Sequence, residues 1–171
     1  MLSIDERVSA EIQDAIKTAR NRIIDDAIEI IKTSLGKLDF GLGCPLLYHA
    51  QDAQLASGTA QLMLVNEPGT ILFIVEIVPG EASSEDAGRL LGHVGWLKKV
   101  ILRGYSPNEP ILGRHAWYKP TWYKPSALPN IENLKGILLA EVFNASALSA
   151  VSLCPDLVAK TFQFSLEIGQ P

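Results

Sequence analysis

Cysteine is scarce. Cys44 and Cys154 are the two in 171 residues, far apart and without metal-type spacing. That excludes a disulfide-stapled scaffold and leaves two buried thiols in a reducing compartment as the simpler reading, with a single bridge still open. Positive charge is not in excess either. Lys and Arg total 15 against 19 Asp and Glu, for a net charge of −4. A surface coated in positive charge is thereby excluded, and any nucleic-acid contact requires a local patch, because the global field repels phosphate. No run reaches the roughly 18 apolar residues that a bilayer-crossing helix needs. The opening residues Met1–Glu6 lack a basic region followed by an apolar stretch, so no secretory signal is expected and the cytoplasm is the expected location.

What is present is ordinary globular material, 47% hydrophobic and 20% charged, enough for one domain over 1–171 with a substantial core. From Ser3 to Leu35 the apolar residues Val8, Ile12, Ile16, Ala19, Ile23, Ala27 and Ile30 fall at helical spacing. Glu11, Asp14, Lys17, Arg20, Asp25 and Glu29 occupy the rest of the circumference. Ser3 with Glu6 suits a capping box, and Gly36 suits a C-terminal stop. A segment of that length is long for this domain. Packing on a sheet is favoured over two separate helices or a reach towards a partner.

Residues 36–60 are rich in Gly, Pro and Ala, with weak periodicity and no assigned element. Within them Gly41-Leu42-Gly43-Cys44 reads as a turn, and Tyr48-His49 has no metal partner nearby. The clearest signal follows. Gln61–Val65 and Thr70–Val78 are β-branched, apolar runs joined by Asn66-Glu67-Pro68-Gly69, which is a hairpin pattern. Pro79-Gly80 is expected to end the second strand. Ser83 with Asp86 then opens a helix expected to run to about Leu102. On it Gly88, Gly92 and Gly95 share one face at a cost of about 2–3 kcal/mol in helix propensity, which suggests close backbone approach by a neighbour.

Residues 103–132 are a Pro-rich connection carrying the tandem Trp117-Tyr118-Lys119-Pro120-Thr121-Trp122-Tyr123-Lys124-Pro125. Its aromatics and lysines suit base stacking with phosphate contact, or anchoring on a protein, or strapping the loop to its own domain. The chain then reads strand Leu134–Val142, helix Ala145–Leu153 capped by Asn144, and strand Leu157–Ile168.

Hairpin, glycine-spaced helix, strand, helix, strand: that order over residues 58–168, with its residues, resembles the PD-(D/E)XK nuclease superfamily. The resemblance implies an α/β, three-layer restriction-endonuclease-like fold with a mixed central sheet flanked by helices. It also implies an Asp opening the first hairpin strand, a Glu-x-Lys ending the second, and Gln and Tyr on the following helix. Here those positions hold Gln61, Glu76, Val78, Arg89 and His93. Glu76 alone of the acid/base set is kept. A hard dication such as Mg²⁺ needs one or two carboxylates with phosphate and water, and Gln61 carries no charge. Val78 removes the cation that would steady the developing phosphoryl charge.

Two readings follow. In the favoured one the chain is a catalytically degenerate nuclease-fold protein serving as a binding or assembly module, with no cofactor. It would bind a protein or a second copy of itself, with nucleic acid disfavoured by the net charge and no membrane involved. Asp86 then caps its helix, Arg89 pairs with a carboxylate such as Glu76, and His93 is a buried neutral imidazole. In the alternative, Asp86, Arg89 and His93, spaced i, i+3, i+7 on one helix face, join Glu76 in a rearranged Mg²⁺-dependent endonuclease site with Glu76 as metal ligand. The tandem Trp117, Tyr118, Lys119, Trp122, Tyr123 and Lys124 is the expected binding element in either case.

Overall fold

A strand that is apolar on both faces demands cover on two sides, and the segment after Gly69 has that character. The computed structural model describes residues 4–55, 57–102 and 131–162, with backbone alone at 4–8 and 102. The aromatic tandem at 117–125 and residues 163–168 of the expected last strand lie outside the described residues. The elements are α1 (Ile4–Ser34), β1 (Leu46–Leu55), β2 (Gly58–Asn66), β3 (Ile71–Ala82), α2 (Ser84–Leu97) continued by a π-helical turn (Lys98–Leu102), β4 (Asn133–Phe143), α3 (Ala145–Ser152) and β5 (Leu157–Thr161). No described helix is long and apolar enough to cross a membrane.

The five strands form one mixed sheet in the order β1-β2-β3-β4-β5. β1, β2 and β3 run antiparallel, whereas β3, β4 and β5 run parallel. The β2–β3 turn is set by its residues. Asn66 Oδ1 accepts the N–H of Thr70 at 2.8 Å and of Ile71 at 2.7 Å. Gly69 takes φ +72°, a conformation that costs glycine little.

Leu62, Leu64, Phe73, Val75, Ile77, Ile137 and Leu139 project to one side of the sheet and pack on Ala27, Ile28 and Ile31 of α1. Met63, Val65, Leu72, Ile74, Val78, Leu134, Leu138 and Ala140 project to the other, under Ala87, Leu90, Val94 and Leu97 of α2. Ala150 and Val151 of α3 join the second cluster. The result is a three-layer α/β/α arrangement with both sheet faces covered.

Four features differ from the sequence reading. β1 lies inside the segment given no element. Its alternation is broken by a register shift between Tyr48 and Ala50 and by Asp52 at φ +49°, so period-2 patterning is lost. β3 runs past Pro79-Gly80 to Ala82, because a register shift between Val78 and Glu81 opposite β4, with Gly80 at φ +85°, absorbs the irregularity. The glycine face of α2 has no close neighbour among the described residues: a Cβ at Gly88, Gly92 or Gly95 would meet none of them within 4 Å. And α1 is one continuous helix whose residues 9–23 are all exposed, so only its C-terminal third packs on the sheet.

Candidate functional site

β2 and β3 pair directly from Val65↔Leu72 to Leu62↔Val75 and then part. At the fork the side chain of Gln61 replaces the ladder. Its Oε1 accepts the Ile77 N–H at 2.7 Å and its Nε2 donates to the Ile77 carbonyl at 3.3 Å. The amide therefore satisfies two backbone groups on a neighbouring strand, a role a carboxylate could fill only by half, since it has no donor.

Glu76 follows on β3, with its neighbours in the alternation, Ile74 and Val78, both on the side covered by α2. It is buried to 2% exposure. Arg89 reaches it from α2, with Nε 2.8 Å and Nη2 2.7 Å from the same oxygen, Oε1. Oε2 has no hydrogen-bond partner among the described residues. Burial pushes the Glu76 carboxyl above its ordinary range, and the Arg89 guanidinium offsets this only in part, with Arg20 of α1 adding a smaller pull in the same direction.

Asp86 completes the cluster. Its Oδ1 accepts from Arg89 Nη2 at 2.8 Å. Its Oδ2 accepts from both the backbone N–H and the hydroxyl of Ser83, each at 2.8 Å, which is the carboxylate half of a capping box at the start of α2. Burial alone would raise Asp86, but the two Ser83 donors and Arg89 outweigh it and hold the carboxyl below its usual value. Arg89 is itself raised: burial opposes its charge, and the two carboxylates more than compensate.

The structure thus brings Glu76, Asp86 and Arg89 together and leaves His93 apart. One helical turn beyond Arg89, His93 is fully buried, and its Nδ1 lies 2.8 Å from Ser57 Oγ in the β1–β2 turn. Its Nε2 has no partner among the described residues. Burial first, and then the charge of Arg89, keep the imidazole neutral by lowering its pKa. The Ser57–His93 contact had no signal in the sequence, because Ser57 sits in an Ala/Ser/Gly segment without periodicity. Val78 is buried in the core under α2. Tyr48 lies elsewhere, with Lys32 Nζ 5.2 Å from its ring centroid.

No family model matches the chain, and no curated protein matches it. Among solved structures it is similar to EndoMS in a complex with double-stranded DNA, at 12% identity over 79% of this chain and 42% of that one, with a TM-score of 0.53. It is also similar to a repair endonuclease from Pyrococcus abyssi, at 13% identity over 83% of this chain and 46% of that one, with a TM-score of 0.52. The fold is restriction-endonuclease-like. The chain spans less than half the length of either structure. On this restriction-endonuclease-like frame no group of three His, Cys, Asp or Glu residues that could hold a metal ion occurs among the described residues. A neutral Gln61, an aliphatic Val78 and two carboxylates already bridged by a guanidinium do not fit the oxygen-rich shell that Mg²⁺ demands.

Proposed function

We propose that this chain is a catalytically degenerate member of the PD-(D/E)XK superfamily that acts as a binding or assembly module. The observation that carries the reading is the closed Glu76–Arg89–Asp86 cluster. Arg89 is the positive charge between the two carboxylates, so a dication would have to displace a guanidinium held by three short contacts. Gln61 supports the same reading, since its amide is committed to the backbone of Ile77. Binding rather than chemistry is then what the frame offers. The aromatic tandem with Trp117, Tyr118, Lys119, Trp122, Tyr123 and Lys124 supplies anchors for a protein partner or stacking platforms for single-stranded nucleic acid.

One observation favours a second reading, an endonuclease with a rearranged site. The carboxylates of Glu76 and Asp86 both reach Arg89, so the two acids lie close together, with Asp86 as the second carboxylate and Arg89 as the cation that such a site would use. Assays of the purified chain with Mg²⁺ and with Mn²⁺ on single-stranded, flap and duplex DNA separate the two. No cleavage is expected. Cleavage that disappears in Glu76→Ala would overturn the degenerate reading and establish the second.

A further inference from the structure

α1 carries two apolar faces. Ile24, Ala27, Ile28 and Ile31 form the one that packs against the sheet. The other is Ile12, Ile16, Ala19, Ile23 and Ile30, and at about 100° per residue its centre lies roughly 100° around the helix from the first. This second stripe is uncovered: Ile12 is 53% exposed, Ile16 57%, Ile23 37% and Ile30 47%. From residue 12 to 23 its spacing is four, three, four, the alternation of a two-helix seam. Residues 9–23 are exposed throughout, and among the described residues no element covers them. A free helix of that length with three isoleucines is marginal in water, and helices of this kind owe their stability to packing of an apolar face.

We infer that the part of this stripe over residues 12–23 is the interface of a homodimer, in which α1 pairs antiparallel with α1 of a second copy. Charge selects both the partner and the direction. Glu11 and Arg22 flank the stripe on one side, Arg20 and Gln13 on the other. Antiparallel pairing about a two-fold axis between residues 17 and 18 sets Ile12 against the partner's Ile23 and Ile16 against the partner's Ala19. The same register sets Glu11 beside the partner's Arg22, twice per dimer. Parallel pairing would instead place Arg20 beside the partner's Arg22 at one height, a like-charge contact. The surface is self-complementary in one direction only, which is the property an isologous two-fold interface requires. This inference names the partner for the assembly role proposed above, yet it stands on α1 and not on the Glu76 cluster. Cleavage assays and association assays therefore fail independently.

Sedimentation equilibrium of the full chain at low salt is the test, with the sheet domain's folding monitored by thermal unfolding. The wild type is expected to be a dimer and Ile16→Glu a monomer with its core transition intact. Glu11→Arg and Arg22→Glu are each expected to weaken association on the order of tenfold at low salt, and less at high salt. The double variant E11R/R22E restores it, because the swapped charges still face each other. A monomeric wild type at 100-micromolar-order concentration would overturn the inference, as would an undiminished dimer in Ile16→Glu. A double variant no better than either single one would overturn the antiparallel register.

Discussion

Arg89 meets Glu76 side-on, with both Nε and Nη2 on Oε1 and nothing among the described residues on Oε2. The pair is asymmetric in solvent as well: the Arg89 side chain is 42% exposed and that of Glu76 is 3%. The arginine keeps part of its hydration while the carboxylate has lost almost all of its own. The guanidinium is therefore the main compensation for a buried negative charge at the centre of the sheet, and Asp86 fixes its orientation from the same helix.

Arg89→Met is expected to destabilise the domain by about 1–3 kcal/mol, the lower part of the range for stranding a buried charge because Arg89 is partly solvated. Adding Glu76→Gln removes the stranded charge, and the double variant should recover a large part of the loss. Urea unfolding of the four proteins gives the cycle. Equal, additive losses would mean that Glu76 draws little from Arg89.

The glycines of the α2 layer should divide into two groups. A Cβ at Gly88, Gly92 or Gly95 meets no described residue within 4 Å, so each Gly→Ala change is expected to stabilise by about 0.5–1 kcal/mol through helix propensity. At Gly136 on β4 a Cβ would lie 2.7 Å from Leu157 Cδ2 and 2.8 Å from Leu90 Cγ. Gly136→Ala is expected to cost about 1–3 kcal/mol by overpacking. Shifts in the urea midpoint of opposite sign test both halves of the claim.

These glycines mark where sequence reasoning stops. The helical spacing of Gly88, Gly92 and Gly95 was visible, but whether anything lies over them is a tertiary fact: Gly88 and Gly92 are exposed and Gly95 is half-buried. Gly136, where a side chain has no room, sits in an apolar run and gives no sign of it. The hairpin was legible because Asn66 and Gly69 have local jobs at the turn. β1 was not, because a register shift and the positive φ of Asp52 erase its alternation. At the site, the pairing of Arg89 with a carboxylate and the capping by Asp86 were open to inference from helix spacing and dipole. The amide bridge from Gln61 to Ile77 was not. It depends on β2 and β3 parting after Leu62↔Val75, which no residue pattern announces.

Gln61→Glu tests that bridge. The acceptor on the Ile77 N–H is kept, while the donor to the Ile77 carbonyl is lost. A cost of about 1–2 kcal/mol is expected from the unpaired carbonyl and the second half-buried acid. Hydrogen exchange at the Ile77 amide should stay slow in the variant, since its acceptor survives, and should quicken in Gln61→Ala. Rapid exchange at Ile77 in the wild type would show that Gln61 does not hold the Ile77 N–H.

His93 gives the chain a predictable acid response. Its folded pKa is lowered by burial and then by Arg89, so the folded state resists a proton that the unfolded chain accepts below about pH 6.5. The stability tied to a neutral His93 is complete above that value and is lost as pH falls towards the folded pKa. Asp86, also lowered, loses its share in the same direction but at more acid pH, below the ordinary Asp range. Glu76, raised by burial, works the opposite way, because its folded carboxyl takes up a proton before the unfolded one does. The wild-type curve alone mixes these signs. The difference between wild type and His93→Gln isolates the imidazole, since glutamine can still hydrogen-bond Ser57 Oγ and does not titrate. Between pH 7.5 and about pH 5 the wild type is expected to lose more thermal stability than His93→Gln. Parallel curves for the two proteins would show that the imidazole protonates in the fold as readily as in the unfolded chain, and that its buried Nε2 is within reach of water.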